Sequence, residues 1–249
     1  MTRRVHQADK GNFVRLIISV NNGIGTGLPA PWLSRGRVFL DRPLWSLARV
    51  GATGGLAMDD LQYLNGIWNR LRSMADGSAP SAAIQIATVS STGSPGLRTV
   101  IVREASFEEA TVSFITDIRS TKIKDIRRDP RVSAISYELE SRVQIKLAGT
   151  AAIVDDKDAR HAVWERLKPH SRKQFERDLP SGISLYSSDG TPMGWEDDGA
   201  SPKEPYDRFA LVSISVTSAE WLDVSTEDHT RHAFYRDRQP KWRSIRLSP

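Results

Sequence analysis

The sequence predicts an α+β protein whose core is an antiparallel β-barrel with peripheral helices. Short runs with strand character recur along the chain, and helical patterns are interspersed between them. The pattern lacks the regular alternation of strand and helix that is typical of a parallel βαβ fold. With 249 residues, of which 39% are hydrophobic, the chain can bury one generous core or two small ones.

The N-terminal segment 1–57 differs from the rest in charge and pattern. It carries eight Lys or Arg against two Asp, a net of +6 in a chain whose total is +5. We expect it to be disordered or loosely attached, and dispensable for folding. A targeting peptide and a basic interaction arm are alternatives to an extension upstream of a natural start at Met58. The remainder, 58–249, is the expected folded domain, and it is too nearly neutral to attract nucleic acid.

Composition excludes several kinds of site. The chain has no cysteine, which rules out disulfides, thiolate nucleophiles and metal clusters held by thiolates. The apolar run 13–20 is short and is interrupted by Arg15, so we predict no membrane segment and expect a cytoplasmic protein. The spacing His229-x-x-His232 would not converge on a metal from a strand or loop, and no metal site is predicted.

The first folded element is a predicted helix at 59–77. Leu64, Ile67, Trp68 and Leu71 recur there at helical spacing, behind acidic residues that can cap the N-terminus. The helix is therefore amphipathic and is expected to cover one side of the barrel.

Strands and short helices follow. Runs of β-branched and apolar residues bounded by turn residues predict strands at 82–90, 98–103, 110–116, 132–137, 141–154, 209–216, 220–224 and 231–235, and the chain closes with 242–247. Further helices are predicted at 120–128, 156–167 and 171–177, the first of them ended by Pro130. The stretch 180–205, rich in Gly, Ser, Pro and acidic residues, is predicted to be a long excursion.

Several motifs occur in order along the chain. They are Arg98-Thr99-Val100-Ile101-Val102-Arg103, the run FITDIRSTK at 114–122, Asp129-Pro130-Arg131-Val132-Ser133, the run QIKLAG at 144–149, and a C-terminal set from Trp221-Leu222-Asp223 through His229-Thr230-Arg231 to Pro249. Together they resemble the pyridoxamine 5'-phosphate oxidase-like superfamily. The helices with Trp164, Arg172 and Phe175 are similar to its Alr4036-like FMN-binding subgroup. The resemblance implies a Greek-key, FMN-binding split β-barrel.

The resemblance also implies which residues hold the FMN. They are Arg98, Thr116, Ser120, Lys122, Gln144, Trp221 and Arg231. A phosphate dianion and the polar edge of a flat ring need cations, hydroxyls and an amide around an apolar slot. Arg98 begins an apolar strand and can grip phosphate oxygens in bidentate fashion. The hydroxyls and Lys122 lie where a strand passes into a helix N-terminus, which favours an anion.

The later residues imply an assembly. Gln144 would meet the pyrimidine edge of the flavin, while Trp221 and Arg231 would reach it from the partner subunit, so a homodimer with FMN at the interface is expected. Leu222 is an alternative to Trp221 as the residue that aligns with the family's pattern at this position. Ordinary alternatives exist for these residue types: a solvated charge at a strand end, a helix cap beside a lysine in water, a surface glutamine or a tryptophan in the core.

Departures from the family pattern affect mainly the substrate side. Arg103 and His229 match substrate-contacting positions, but Arg103 replaces a lysine, and Glu227 stands where the oxidases have an arginine for the substrate phosphate. Pyridoxamine phosphate is therefore a doubtful substrate. On the cofactor side the family has arginine at Thr121, and Arg119 or Lys124 could compensate for its loss.

The leading hypothesis is an FMN-dependent oxidoreductase acting on an unknown small molecule. The alternatives are an FMN-binding protein without its own turnover and a haem-binding or deazaflavin-binding barrel. A nucleic-acid-associated protein is a hypothesis of a different class, which the nearly neutral folded body disfavours. No nucleophile elbow or phosphate-binding P-loop is found in the sequence.

Overall fold

The structure is a computed structural model, and it describes residues 56, 58–182, 202–236 and 241–249. The predicted extension 1–57 lies outside the described residues, apart from Leu56, which packs against the core. Most of the predicted excursion 180–205 also lies outside them. Among the described residues, no helix is both long and apolar enough to cross a membrane.

Eight strands and five helices form the described part of the chain. The strands are β1 (Ala83–Val89), β2 (Pro95–Ser106), β3 (Thr111–Asp117), β4 (Arg131–Glu138), β5 (Val143–Ile153), β6 (Phe209–Asp223), β7 (Thr230–Arg236) and β8 (Trp242–Leu247). The helices are α1 (Met58–Asp76), α2 (Thr121–Arg128), α3 (Lys157–Arg166), α4 (Pro169–Arg172) and α5 (Pro205–Arg208), with a 3-10 turn at Lys173–Phe175 after α4.

The strands form one antiparallel sheet that closes on itself. Its order is β3-β2-β1-β4-β5-β6-β7-β8, and an additional pairing of β3 with β6 makes a closed barrel of six strands. Strands β7 and β8 continue the sheet beyond that closure. This confirms the predicted antiparallel α+β barrel.

Strand β6 differs from the prediction. The sequence indicated two strands, 209–216 and 220–224, because polar Thr217 and Ser218 interrupt the apolar pattern. The structure has one strand of 15 residues, whose first half pairs with β3 and whose second half pairs with β7. Thr217 and Ser218 lie where β6 leaves one neighbour and joins the other, so their polarity marks a change of partner.

Helix α1 joins its apolar stripe to the barrel core. Leu64, Ile67, Trp68 and Leu71 are fully or almost fully buried and belong to the same cluster as the inward side chains of the barrel. A Cβ on Gly66 would lie 2.8 Å from the ring of Trp221 on β6, so the absence of a side chain at this position allows the close approach.

Helix α2 lies against β1 and β5 and adds to the same core. Its apolar residues Ile123 and Ile126 are buried in the barrel's cluster. The neighbouring polar residues Lys122 and Asp125 are thereby brought against the barrel.

A second, smaller core lies beside the barrel. Val163 and Leu167 from the α3 region pack with Phe175, and with Phe209 and Leu211 from the start of β6. This cluster fastens α3 and the 3-10 turn to the strand that closes the barrel.

Gly149 provides a test of the barrel's closure. The pairing of β5 with β6 shifts register between Ala148 and Gly149, and a Cβ on Gly149 would lie 2.0 Å from the carbonyl oxygen of Ser215. We predict that Gly149→Ala lowers the free energy of unfolding by about 3 kcal/mol or more, as overpacking against backbone does. Urea denaturation measures the change.

The matched control is Ala152→Ser, at an exposed position of the same strand. It should change the free energy of unfolding by less than about 0.5 kcal/mol. Equal midpoints for the two variants would contradict the close packing of β5 on β6.

Candidate cofactor site

One end of the barrel carries a cluster of polar side chains around Arg98. This residue is in register with Ile86 of β1, which is in register with Ala134 of β4, so Arg98 shares the inner face of the sheet. Its guanidinium bonds to Thr88 and donates to the carbonyl oxygen of Gly96 at 2.7 Å. The strand therefore aims a cation into the end of the barrel.

Asp125 of α2 completes the support of Arg98. Its carboxylate accepts from Thr88 Oγ1 at 2.7 Å and lies 3.4 Å from Arg98 Nη2. Both Thr88 and Asp125 are buried. Neither was predicted from the sequence, because a single Thr in a strand and a single Asp in a short helix carry no motif.

The turn between β3 and α2 brings together three of the predicted cofactor residues. Lys122 Nζ donates to Thr116 Oγ1 at 2.8 Å, and the Oγ atoms of Thr116 and Ser120 are 3.3 Å apart. Ser120 occupies the N-cap position of α2, but its side chain makes no capping hydrogen bond. The hydroxyl of Ser120 therefore does not cap the helix, which would be the ordinary role of a serine at this position.

The cluster carries more positive than negative charge. Arg98 has Asp125 as its carboxylate, whereas Lys122 forms no ion pair with any described residue. Burial lowers the pKa of Lys122, and the nearby charge of Arg98 lowers it further, while Asp117 acts in the opposite direction. Two neighbouring cations, of which only Arg98 is paired with a carboxylate, suit an anion such as a phosphate.

Gly96 shapes the same site. A Cβ at this position would lie 2.8 Å from Arg98 Nη2, so a side chain would push the guanidinium away. The absence of a side chain at Gly96 therefore leaves room for the Arg98 guanidinium, although the sequence motif begins only at Arg98.

The compensating residues suggested by the sequence do not lie in this cluster. The guanidinium of Arg119 bonds to Asp117 and to the backbone carbonyls of Arg177 and Asp178. Thr121 and Lys124 are both exposed on α2. Arg119 therefore does not replace the family's arginine at position 121.

A second group of predicted residues lies on the outer face of the sheet. Gln144 of β5 is in register with Leu222 of β6, which is in register with Arg231 of β7. Residues directly opposite one another share a face, so these side chains form one row. Trp221 points to the inner side instead, where it packs beside Tyr63 and under Arg70 of α1. The register therefore places Leu222, and not Trp221, beside Gln144 on the outer face.

Arg231 is held in place by Glu220. Its Nη2 lies 2.7 Å from Glu220 Oε2, and Lys146 Nζ lies 3.3 Å from the other carboxylate oxygen. Burial raises the pKa of the neighbouring Tyr235, and the charge of Glu220 raises it further. Glu220 was not predicted as part of the site, since its link to Arg231 depends on the pairing of β6 with β7.

The two groups are well separated within one chain. Arg98 is in register with Leu147, across β1 and β4, and Gln144 lies three residues further along β5. With strands about 4.8 Å apart and roughly 3.3 Å per residue, the separation along the sheet is roughly 17 Å. No described contact joins the groups. Their chemistry fits an extended ligand with an anionic end and a polar ring edge.

The two predicted substrate residues, Arg103 and His229, lie in different parts of the fold. Arg103 lines a cavity of about 440 Å³ between α1, β2 and α3, with apolar Val163 and Leu167 among its walls. Its Nε is buried without a hydrogen-bond partner, and burial lowers the pKa of its guanidinium. His229 lies in the exposed connection between β6 and β7, where its backbone N–H donates to the carbonyl of Glu227.

Metal binding finds no support in residues 58–182, 202–236 and 241–249. No group of three or more His, Asp or Glu side chains in those ranges could hold an ion. His232 is buried, with Nδ1 3.0 Å from Asp60 Oδ1 and its ring stacked on Tyr63, so it serves the contact between α1 and β7.

Comparison with known proteins identifies similar sequences. A family model described as "Pyridoxamine 5'-phosphate oxidase, FMN-binding domain" matches residues 65–155. A pyridoxine/pyridoxamine 5'-phosphate oxidase from Rubrobacter xylanophilus is 30% identical over 227 residues, which cover 84% of this chain and 97% of that protein. The corresponding protein of Hyphomonas neptunium is 27% identical over 202 residues, covering 74% of this chain and 86% of the relative.

Solved structures agree on the fold. A pyridoxamine 5'-phosphate oxidase-related, FMN-binding protein from Nostoc punctiforme has a TM-score of 0.57 at 24% identity, covering 79% of this chain and 100% of its own. PhzG from Burkholderia lata, solved with tetrahydrophenazine-1-carboxylic acid, has a TM-score of 0.55 at 19% identity, covering 79% of this chain and 94% of its own. These likenesses favour neither a haem-binding nor a deazaflavin-binding barrel.

Lys122 gives the site its most direct test. We predict that Lys122→Ala raises the dissociation constant for FMN about tenfold to hundredfold, because a charge-assisted phosphate contact is typically worth about 1.5–3 kcal/mol. The thermal midpoint of the apo-protein should change little, since Lys122 is only partly buried and bonds to one hydroxyl. Fluorescence titration with FMN measures the binding.

Lys124→Ala is the matched control, because Lys124 has the same charge and is exposed on the same helix. Its dissociation constant should stay within about twofold of the wild type. An unchanged titration for Lys122→Ala would mean that Lys122 is merely solvated.

Proposed function

The chain belongs to the pyridoxamine 5'-phosphate oxidase family of FMN-binding proteins, and from this premise we propose that it is an FMN-dependent oxidoreductase acting on a small anionic substrate. The observation that carries the proposal is the surplus of positive charge at Lys122, which lies half-buried near Arg98 without an ion-pair partner among the described residues. A phosphate-bearing cofactor supplies the missing anion.

The chain's own residues have distinct roles in this proposal. Arg98 and Lys122 bind the phosphate of FMN through charge-assisted hydrogen bonds, and the hydroxyls of Thr116 and Ser120 accept or donate beside them. Asp125 and Thr88 hold the Arg98 guanidinium in place. When bound, FMN supplies a flavin ring that accepts or donates a hydride.

The outer face orients the ring in this proposal. The amide of Gln144 offers both a donor and an acceptor to the polar edge of the flavin. Arg231, fixed by Glu220, adds a cation to that face. No side chain of this row needs to transfer a proton, so the protein's contribution is to orient the ring.

Arg103 is the proposed anchor for the substrate. A guanidinium stays charged even when burial lowers its pKa. Arg103 has a buried Nε without a partner, in a cavity lined by other charged side chains together with apolar Val163 and Leu167. A small molecule with a carboxylate or phosphate and an apolar body would satisfy both features. The cavity of about 440 Å³ is large enough for such a molecule.

We further propose that the protein works as a homodimer with FMN at the interface. The outer face exposes Leu97 and Ile101 of β2 and Tyr137 of β4, a set of large apolar side chains that a partner would cover. A two-fold interface would also bring the Gln144 and Arg231 row of one subunit to the Arg98 cluster of the other. Neither group needs to move within its own chain.

The substrate class can be tested on the FMN-loaded protein. We expect a small carboxylate or phosphate that can donate a hydride to reduce the flavin and bleach its absorbance in the absence of oxygen, and we expect pyridoxamine phosphate to do so weakly or not at all. The reason is Glu227, a negative charge where the oxidases of this family supply arginine. Arg103→Gln should abolish the response to an active substrate and leave the bound FMN in place.

Glu227→Arg and Asp228→Arg form a matched pair, because both reverse a charge in the same exposed connection. Only Glu227→Arg should improve the use of pyridoxamine phosphate, with KM falling about tenfold. Robust conversion of pyridoxamine phosphate by the wild type would contradict this expectation and would mean that the protein is a full pyridoxamine phosphate oxidase.

The dimer proposal is tested by mixing two defective variants, Lys122→Ala and Arg231→Ala, under subunit exchange. A heterodimer would contain one intact site and one doubly damaged site, so tight FMN binding should recover to at most half of normal in that species. FMN should also strengthen dimerisation, because binding and association are linked.

The control mixture is Lys122→Ala with Arg98→Ala. Both residues belong to one group, so no combination of these subunits contains an intact site. If Lys122→Ala and Arg231→Ala also fail to recover binding despite proven exchange, the arrangement of the site across two subunits must be given up.

A further inference from the structure

A buried arginine lies at the turn that carries the hydroxyls and the lysine of the cofactor site. Arg119 forms a bidentate pair with Asp117, with Nη2 2.7 Å from Oδ2 and Nε 3.0 Å from Oδ1. Its side chain is only 5% exposed. It is not an FMN ligand in the proposed site, because its guanidinium is engaged by Asp117 and by backbone carbonyls.

Those carbonyls belong to a distant part of the chain. Arg119 donates to the carbonyl oxygen of Asp178 at 2.7 Å and to that of Arg177 at 2.9 Å. Arg208 donates to the same Arg177 carbonyl, also at 2.9 Å, and its own carbonyl accepts from the Ile118 N–H at 2.8 Å. The turn is thus held both by a side chain and by its backbone.

The connection constrains the groups proposed to bind phosphate. Thr116 and Asp117 end β3, Ser120 occupies the N-cap position of α2, and Lys122 lies in the first turn of that helix. Asp117 is also a competing anion for Lys122, since its charge acts on that ammonium. Because Arg119 occupies both oxygens of Asp117, the carboxylate is held in a pair of its own and Lys122 remains available.

We propose that Arg119 is a positioning residue of the cofactor site, which fixes the turn from Asp117 to Ser120 and keeps Asp117 away from Lys122. The inference rests on the proposed FMN function. It concerns the phosphate end of the cofactor alone, so it distinguishes FMN from riboflavin, which has the same ring and no phosphate.

Arg119→Lys tests the inference, because lysine keeps the charge but cannot make the forked contacts to a carboxylate and two carbonyls. We expect the dissociation constant for FMN to rise about tenfold and that for riboflavin to stay within about twofold. If Arg119 acted only through the long-range effect of its charge on the phosphate, FMN would bind Arg119→Lys as tightly as the wild type. That result would overturn the proposal.

Arg208→Lys is the matched control. It loses similar contacts to the carbonyls of Phe175, Arg177 and Pro202 and leaves the Asp117 pair intact. It should lower the thermal midpoint while FMN affinity stays within about twofold. An equal loss of FMN affinity in both variants, or a parallel loss of riboflavin, would reduce Arg119 to a structural role and overturn the proposal.

A double-mutant cycle with Lys122→Ala gives a second measurement. If Arg119 acts by positioning Lys122 and its neighbours, Arg119→Lys should cost less FMN affinity once Lys122 is absent, and strictly additive effects would contradict this. Should Arg119→Lys fail to fold, Arg119→Gln replaces it, with the same expected contrast between FMN and riboflavin. If the wild type binds riboflavin as tightly as FMN, the inference about Arg119 is overturned, but the proposal that the protein binds FMN stands. If the wild type binds neither compound, the proposed function itself is overturned.

Discussion

The pairing of β3 with β6 is the constraint on which the rest of the structure depends. It turns an open sheet into a closed barrel of six strands, and it requires β6 to serve β3, β5 and β7 along its 15 residues. Closure gives every barrel strand an inner and an outer face with a period of two residues. Which face a residue occupies then decides whether it can join the core, the barrel end or the outer row.

This division explains why the proposed cofactor residues form two groups. Arg98 has the parity of the buried Val100 and Val102, so it points inward, and it lies near the beginning of β2, where its guanidinium meets Asp125 of α2. Gln144 has the opposite parity to Val143 and Ile145, so it points outward. A ligand that contacts both groups must extend beyond one barrel, and a second subunit is the simplest way to bring them together.

The sequence predicted the parts of this arrangement that depend on local pattern. Alternation placed the strands, and helical spacing placed α1 with its buried face. The motifs indicated Arg98, Lys122 and their hydroxyl neighbours, which the structure brings to adjoining positions. Features that depend on distant pairing were missed: the continuity of β6, the inward turn of Trp221, and the support that Asp125 gives to Arg98. Trp221 and Leu222 differ only in the face they occupy, and register with β5 decides that.

Electrostatics links the cofactor site to stability. Without an anion, the folded chain must hold Lys122 near Arg98, and the lowered pKa of Lys122 expresses the cost of burial and, after it, of the nearby charge of Arg98. A phosphate placed between the two cations would remove the repulsion, so FMN should bind the folded state and stabilise it. Arg119 and Asp117, already paired with each other, contribute rigidity without changing the net charge of the cluster. The site therefore combines a charge surplus, which a phosphate would satisfy, with a neutral pair that keeps the surrounding turn in place.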